Sequence, residues 1–440
     1  MTTSDHVIDA ELFKAESLKS RKWYYVSDVE SIGLHTEMDR KSIDEVKAAA
    51  HIFPFKTNNY ILDQLIDWKS IPDDPYFRLM FPQKDMLHED DFALIDNAIK
   101  SNTGSVRIAH LINSIRSKYL PPEMKADQTS TPPVAEQTAE GIFHLPPGTL
   151  LLFPKPAEAC FAYCTYCFRW SAKIDRRIHF SYEEPTAPIG YLMKNPSINN
   201  IVFTGGDPLT MQAEMLKVFV EPLLHVENVH SICFTTKALG WWPYRFLTDE
   251  DSEVLLNLLQ TVQSCGKHAS ILAHLSHPRE LTTKPFLSAV RRIQDTGTII
   301  RCQNPLLRNI NDNTDVLAEL WQRELDLGLI PIYLIADSNS IMLRNFKVPF
   351  SKAIDIYKTA QQKLSYLAQT VEGVAIMYDS MKLLLMDAQE IGNKKYFIFK
   401  YLENPDIKKV GSVVFAEFNP TVTDINQLTL LGSIHERMPG

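Results

Sequence analysis

From Thr149 onward, short apolar runs alternate with longer stretches whose apolar residues recur at helical spacing. The runs are Thr149–Phe153, Asn200–Phe203, His230–Phe234, Ala269–Ala273, Thr298–Arg301 and Pro331–Ile335. Their Val, Ile, Leu and Phe content suits strands buried on both faces. Between them, Ala213–Val226, Asp249–Ser264, Lys284–Asp295 and Asn313–Leu327 read as helices. A βα repeat of this kind requires a parallel sheet or barrel. Each run also ends in polar chemistry. The first leads into Cys160, Cys164 and Cys167, and the second into Gly205-Gly206-Asp207. The third leads into Thr235-Thr236-Lys237, the fourth into His274 and His277, the fifth into Gln303-Asn304 and the sixth into Asp337. A parallel barrel brings all strand C-termini to one mouth, where sites are built.

The fold class predicted is therefore α/β, a partial (β/α)6 barrel over residues 142–345. A helical N-terminal region with a linker precedes it over 1–141, and a C-terminal helix with a β-rich extension follows over 346–440. In the first region Ser42–Ala50 reads as a helix capped by Ser42 with Glu45, and Asp90–Ser101 as another. Ile71–Pro75 is a turn-rich break, and Ala126–Gly141 reads as a linker or surface loop. In the last region a helix is expected over Ser351–Gln369. Strands are expected over Val374–Tyr378, Lys382–Leu385, Tyr396–Lys400 and Ser412–Phe418.

Composition narrows the function. The chain of 440 residues is 45% hydrophobic with a net charge of −8, so it can bury a large core and lacks a broad basic surface for nucleic acid. The polar, acidic start does not read as a secretory signal, and no apolar run approaches the length of a membrane span. Six cysteines are too few for a disulfide scaffold, so a reducing cytoplasm is the expected compartment.

Cys160, Cys164 and Cys167 form a CxxxCxxC run on one short segment. Three thiolates so spaced suit a metal or an iron–sulfur cluster. Structural zinc wants four ligands, and no second CxxC stands nearby. Three ligands to a four-iron cluster leave one iron open for a substrate or cofactor. The alternatives are three buried thiols, or a zinc site completed by a distant histidine.

With Tyr166 before its last cysteine, this run resembles the signature of radical S-adenosylmethionine (SAM) enzymes. More closely, the chain resembles the lysine 2,3-aminomutase family from about His51 to Asp387. The likeness is carried by FPFK at 53–56, DPYFR at 74–78 with FP at 81–82, GGDPL at 205–209, HLSHPRE at 274–280, LLRNIND at 306–312 and VPFSK at 348–352.

The resemblance implies a [4Fe-4S] cluster held by Cys160, Cys164 and Cys167, with SAM on its open iron. It places Gly205, Gly206 and Asp207 near the methionine amino group, and Thr236, His274 and Gln303 at further cofactor contacts. Taken singly, Thr236 suits a strand-end hydroxyl, His274 a core histidine and Gln303 a loop cap. Arg169 falls where the family has an arginine cluster and could meet a phosphate or carboxylate or cap the cluster loop. His277 and Glu280 are expected to hold their loop by hydrogen bonds. Trp170, Trp241 and Trp242 read as core or cavity wall, and Arg245 as a surface salt bridge. The resemblance also implies an electron donor such as flavodoxin or ferredoxin and is compatible with a homo-oligomer.

Known aminomutases move an amino group between adjacent carbons of an amino acid through an imine of pyridoxal phosphate. Lys382 is the positional match for the imine lysine, or an ordinary strand lysine. The segment before it, VEGVAIMYDSMK at 371–382, is shorter than the family's and lacks its run of glycines. Asp337 lies near the family carboxylate for a distant substrate ammonium, or caps the next helix. Three readings follow: an aminomutase using pyridoxal phosphate, a radical enzyme without it that abstracts hydrogen from another biosynthetic substrate, and a non-catalytic iron–sulfur or zinc protein.

Overall fold

The computed structural model describes residues 20–432, apart from 37, 102, 120–135, 146, 168, 171–180, 338–343, 379–380 and 405. A short ribbon, β1 (Trp23–Tyr25) with β2 (Lys56–Asn58), stands apart from the main sheet. Among the described residues the main sheet has twelve strands in chain order. They are β3 (Glu136–Ala139), β4 (Ile142–Leu145), β5 (Thr149–Leu152), β6 (Asn200–Phe203), β7 (Ser231–Thr236) and β8 (His268–His274). They continue with β9 (Ile299–Pro305), β10 (Ile330–Asp337), β11 (Val374–Tyr378), β12 (Met381–Ile391), β13 (Lys394–Glu403) and β14 (Val413–Glu417).

Strands β5 to β11 are parallel, and the strands flanking them pair antiparallel. Helices supply the crossovers: α1 (Ala187–Lys194), α2 (Ala213–Leu224), α3 (Ser252–Ser264), α4 (Lys284–Asp295), α5 (Thr314–Asp326) and α6 (Phe350–Gln361). The parallel run thus extends one strand beyond the six expected, because α6 returns the chain to lay β11 beside β10.

The expectation of strands buried on both faces is corrected. Along β7 and β9 buried side chains alternate with half-buried ones. In β9, Cys302 and Asn304 face α5, whereas Gln303 and Pro305 line a cavity on the other face. Successive side chains on a strand point to opposite faces, so one face packs under helices while the other leaves space.

Other differences are local. The helix expected over Ser42–Ala50 runs Arg40–Ile52, and Asp39, not Ser42, caps it by accepting from the Ser42 N–H at 2.7 Å. The break at 71–75 leads directly into a helix, Pro75–Met80, capped by Asp74. The expected linker ends in strand β3, which polar composition concealed; its first ten residues, 126–135, lie outside the described residues. The helix expected to reach Gln369 stops at Gln361, and β12 and β13 run longer than their apolar stretches because both pair along their length. The opening residues Met1–Ala10 also lie outside the described residues.

The N-terminal helices Arg40–Ile52, Glu89–Lys100 and Ser105–Tyr119 pack a second core around Ile52, Phe53, Phe92, Ile95 and Tyr119. Trp170, just past the cysteine run, enters this core with its ring 5.8 Å from Phe53. The end of the cysteine segment is thereby anchored in an apolar cluster.

Candidate active site

The cysteine segment follows β5 and is held from below by the N-terminal region. Lys56 Nζ donates to the Cys160 carbonyl at 2.8 Å, and the Tyr163 N–H returns a bond to the Lys56 carbonyl at 2.8 Å. Asn58 Nδ2 donates to the Phe161 carbonyl at 3.1 Å. Between Cys164 and Cys167, Thr165 donates its N–H to Leu79 O at 2.9 Å and its hydroxyl to Arg78 O at 2.7 Å. The motifs at 53–56 and 74–78 therefore act as clamps on the loop that carries the thiols.

All six cysteines are thiols. Cys160, Cys164 and Cys167 line one cavity of about 190 Å³, more than ten times the ~10–15 Å³ that a single water needs. The Cys167 thiol beside it, and burial, hold the Cys164 thiol well above its ordinary pKa. A metal that binds such a thiol must displace its proton. Among the described residues no three His, Cys, Asp or Glu side chains stand close enough together to hold one metal ion. A cubane cluster takes its thiolates from separate corners and so accepts wider-set ligands. Thiolates are also the ligands such clusters use.

The same cavity is lined by Arg169, Gly205, Gly206, Asp207, Thr236, His274 and Gln303. The structure thus brings the three cysteines and these seven residues, all expected from the resemblance, onto one cavity. Gly206 must be glycine: a Cβ there would stand 2.3 Å from Ala159 O and 2.4 Å from Glu158 O. Its N–H donates to Ala157 O at 2.7 Å. Gly205 has φ +144, where other residues are strained. Its carbonyl accepts from Arg169 Nη1 at 2.9 Å, which ties the far end of the cysteine segment to the second strand end.

Asp207 serves its own rim. Oδ1 accepts from the Leu209 N–H at 3.0 Å, and Oδ2 from the Lys237 N–H at 2.9 Å. The Thr236 hydroxyl is shared between both oxygens at 2.8 and 2.9 Å. Burial pushes the Asp207 carboxyl up to about 6 against these bonds, which act to lower it. The next turn is fixed by Arg245, which is 2% exposed. It donates to Leu209 O at 2.8 Å and Met211 O at 3.0 Å and pairs with Asp251 at 2.6 Å. Arg245 is a buried strut, not the surface salt bridge expected, because its partners are carbonyls of the loop it supports.

His274 is neutral: burial first, then Lys237 and Arg169, push its pKa down to about 3. His277 and Glu280 hold their loop as expected. His277 Nδ1 accepts from the Arg279 N–H at 3.2 Å, and Glu280 Oε1 from the Ser276 N–H at 2.8 Å. Arg279 reaches Asp74 at 2.6 Å and so locks this loop to the helix behind the cysteines.

Lys237 was named in the sequence only as the end of a strand run and was given no role. Its ammonium donates to the Tyr166 hydroxyl at 2.8 Å and lies 4.6 Å from the Trp241 ring centre. Burial opposes its charge, but Tyr166, Cys164 and Glu280 outweigh burial and raise its pKa. A fixed cation therefore stands beside the thiols.

Lys382 is not among the described residues that line the cavity. Lys382 Nζ pairs with Glu403 at 2.7 Å and lies 4.5 Å from the Tyr333 ring centre. Asp337 ends β10 opposite Met377, and its side chain lies outside the described residues.

The sequence profile of 4Fe-4S single cluster domains matches residues 149–269, which span the cysteine segment and the strands through the start of β8. With the thiols, the glycine turn and the strand-end rim on one cavity, this defines a radical SAM enzyme with a [4Fe-4S] cluster. A protein of Aquifex aeolicus provisionally named L-lysine 2,3-aminomutase is 26% identical over 405 residues, 91% of this chain and 93% of its own length. The L-lysine 2,3-aminomutase of Methanococcus maripaludis is 25% identical over 336 residues, 76% of this chain and 67% of its own length. The glutamate 2,3-aminomutase of Clostridioides difficile is 26% identical over 275 residues, 61% of this chain and 60% of its own length. The chain is thus a relative of the lysine and glutamate 2,3-aminomutases within the radical SAM enzymes. Among the described residues, no helix is long and apolar enough to cross a membrane.

Proposed function

We propose that this chain uses SAM to abstract hydrogen from an amino acid or a related small amine. One observation carries the reading: side chains and backbone from five successive strand ends, Cys160 to Gln303, line one cavity. Cys160, Cys164 and Cys167 would hold the cluster. When bound, it supplies the electron that cleaves SAM to methionine and a 5′-deoxyadenosyl radical. The remaining tasks fall to the chain. Gly205 and Gly206 leave room for the methionine end, and Thr236, His274 and Gln303 orient the cofactor. A neutral His274 can hydrogen-bond without adding charge. Arg169 and Lys237 offset thiolate charge, and Leu306, Leu307 and Ile335 keep the walls apolar, which limits quenching by water. We read strands β5 to β10 as a partial (β/α)6 barrel extended by β11, working in a reducing cytoplasm with a flavodoxin- or ferredoxin-like electron donor.

Pyridoxal phosphate does not fit the described residues around Lys382. The amine is engaged by Glu403 and Tyr333. Strand β11 lies between β10 and β12, so over Val374–Met377 its backbone is taken up by two ladders. The favoured reading is therefore a radical enzyme without an imine at Lys382. The names of the relatives favour a second reading, a 1,2-amino shift giving a β-amino acid.

Anaerobic reconstitution followed by reduction tests the first claim. SAM cleavage by the wild type, lost in a folded Cys164→Ala, supports it, and no cleavage by the reconstituted wild type sinks it. Borohydride reduction with pyridoxal phosphate then separates the two readings. A phosphopyridoxyl adduct confined to Lys382 would establish the amino shift route.

A further inference from the structure

Behind the cavity rim, on the helix side of β9, lies a buried polar cluster that the proposed chemistry does not use. Its centre is Glu324 on α5, a carboxyl with 0% exposure. Glu324 Oε1 accepts from Asn304 Nδ2 at 2.8 Å. The same Asn304 Nδ2 donates to Leu275 O at 3.0 Å, and Asn304 Oδ1 accepts from Trp321 Nε1 at 2.9 Å. Cys302 lies beside the carboxyl, and Glu280 faces it from the loop after β8. Isolating a carboxyl among core side chains is costly unless it stays neutral. Burial does keep it so, pushing its pKa up to about 8.

The two strand positions gripped here each adjoin a cavity residue. Leu275 follows His274, and Asn304 follows Gln303. His274 and Gln303 are themselves register partners across β8 and β9, and the Leu275 N–H donates to Gln303 O at 3.3 Å. Alternation along a strand means that fixing Asn304 on the helix side fixes Gln303 on the cavity side. A second amide repeats the device one turn on: Asn311 Nδ2 donates to Ser276 O at 2.9 Å and Pro305 O at 2.7 Å. A leucine at 324 would fill the volume but could not direct the Asn304 amide.

We propose that Glu324 is a positioning residue for the SAM site: acting through Asn304, it holds His274 and Gln303 at their places on the cavity wall. This rests on the SAM reading of the cavity.

The test measures SAM affinity in cluster-loaded protein at a temperature where every variant is folded. Glu324→Leu should weaken SAM binding about tenfold, the scale of one site hydrogen bond, at unchanged iron content and circular dichroism. Glu324→Gln, which keeps an acceptor for Asn304, should stay within a factor of about two. In an Asn304→Leu background, Glu324→Leu should weaken binding no further. Should the leucine variant not fold, Asn304→Ser is read instead. Wild-type affinity in Glu324→Leu with only a lower melting temperature overturns the proposal, as does a Gln variant as weak as Leu. Failure of the cluster-loaded wild type to bind SAM would instead overturn the reading of the cavity.

Discussion

The Lys382 ammonium meets the Glu403 carboxylate at 2.7 Å across the β12–β13 pair, next to a shift in the register of that ladder. Lys382 is 12% exposed, so the pair is largely shielded from water. Replacing Lys382 by Met leaves Glu403 short of a partner, and we expect a stability loss of about 1–3 kcal/mol in urea unfolding. SAM cleavage in the absence of substrate should persist. Its loss in a folded K382M protein would contradict the assignment of Lys382 to the ladder.

Gly206 touches the backbone on the approach to Cys160. A Cβ would press on Glu158 O and Ala159 O, and neither is the end of a flexible side chain. Gly206→Ala must therefore shift the cysteine segment. Iron bound per chain after reconstitution should fall well below wild type, while secondary structure by circular dichroism is kept. Normal iron content in this variant would mean that the two loops are not rigidly coupled.

Lys237 places a cation beside Cys164. Nearby positive charge favours the more reduced, more negative state of a cluster. Lys237→Met should make the cluster potential more negative by tens of mV, with ~59 mV corresponding to tenfold in the one-electron equilibrium. Lys237→Arg should restore it. A redox titration followed by electron paramagnetic resonance reads this directly, and an unchanged potential in the Met variant refutes it.

Glu324 also governs a pH dependence. Its pKa rises from an ordinary 4.5 to about 8 on burial. The folded protein keeps that proton to higher pH than the unfolded chain, so its contribution to stability falls as pH rises from about 4.5 to about 8. The slope is at most about 1.4 kcal/mol per pH unit. Glu324→Gln should flatten the stability profile over this window. An identical slope in the variant would assign the effect to another group.

Much of the parallel sheet could be read from the sequence because strands roofed by helices are dense in Val, Ile, Leu and Phe. Asn200–Phe203 and Val374–Tyr378 match their expected bounds for that reason. The polar strand β3 gave no such signal, since its partner β4 supplies the pairing. The cavity residues were legible through their motifs, but the work of each was not. Asp207 looks like a ligand for an ammonium until its four donor contacts are traced to Leu209, Thr236 and Lys237. Arg245 and Glu324 were illegible for a related reason. A charged residue in a helical or turn segment reads as solvent-facing, and only the fold supplies the carbonyls and amides that allow its burial.

Within the sheet, the strands that carry Lys382 and Glu403 reach the parallel run through β11. The thiols, the glycine turn and the rim they face belong to strands β5 to β9 and their loops. The cavity with its three cysteines and the Lys382–Glu403 pair are thus separable parts of one continuous sheet. A change confined to the outer strands therefore need not reach the cysteine segment, and the two ends of the sheet can be altered independently of one another.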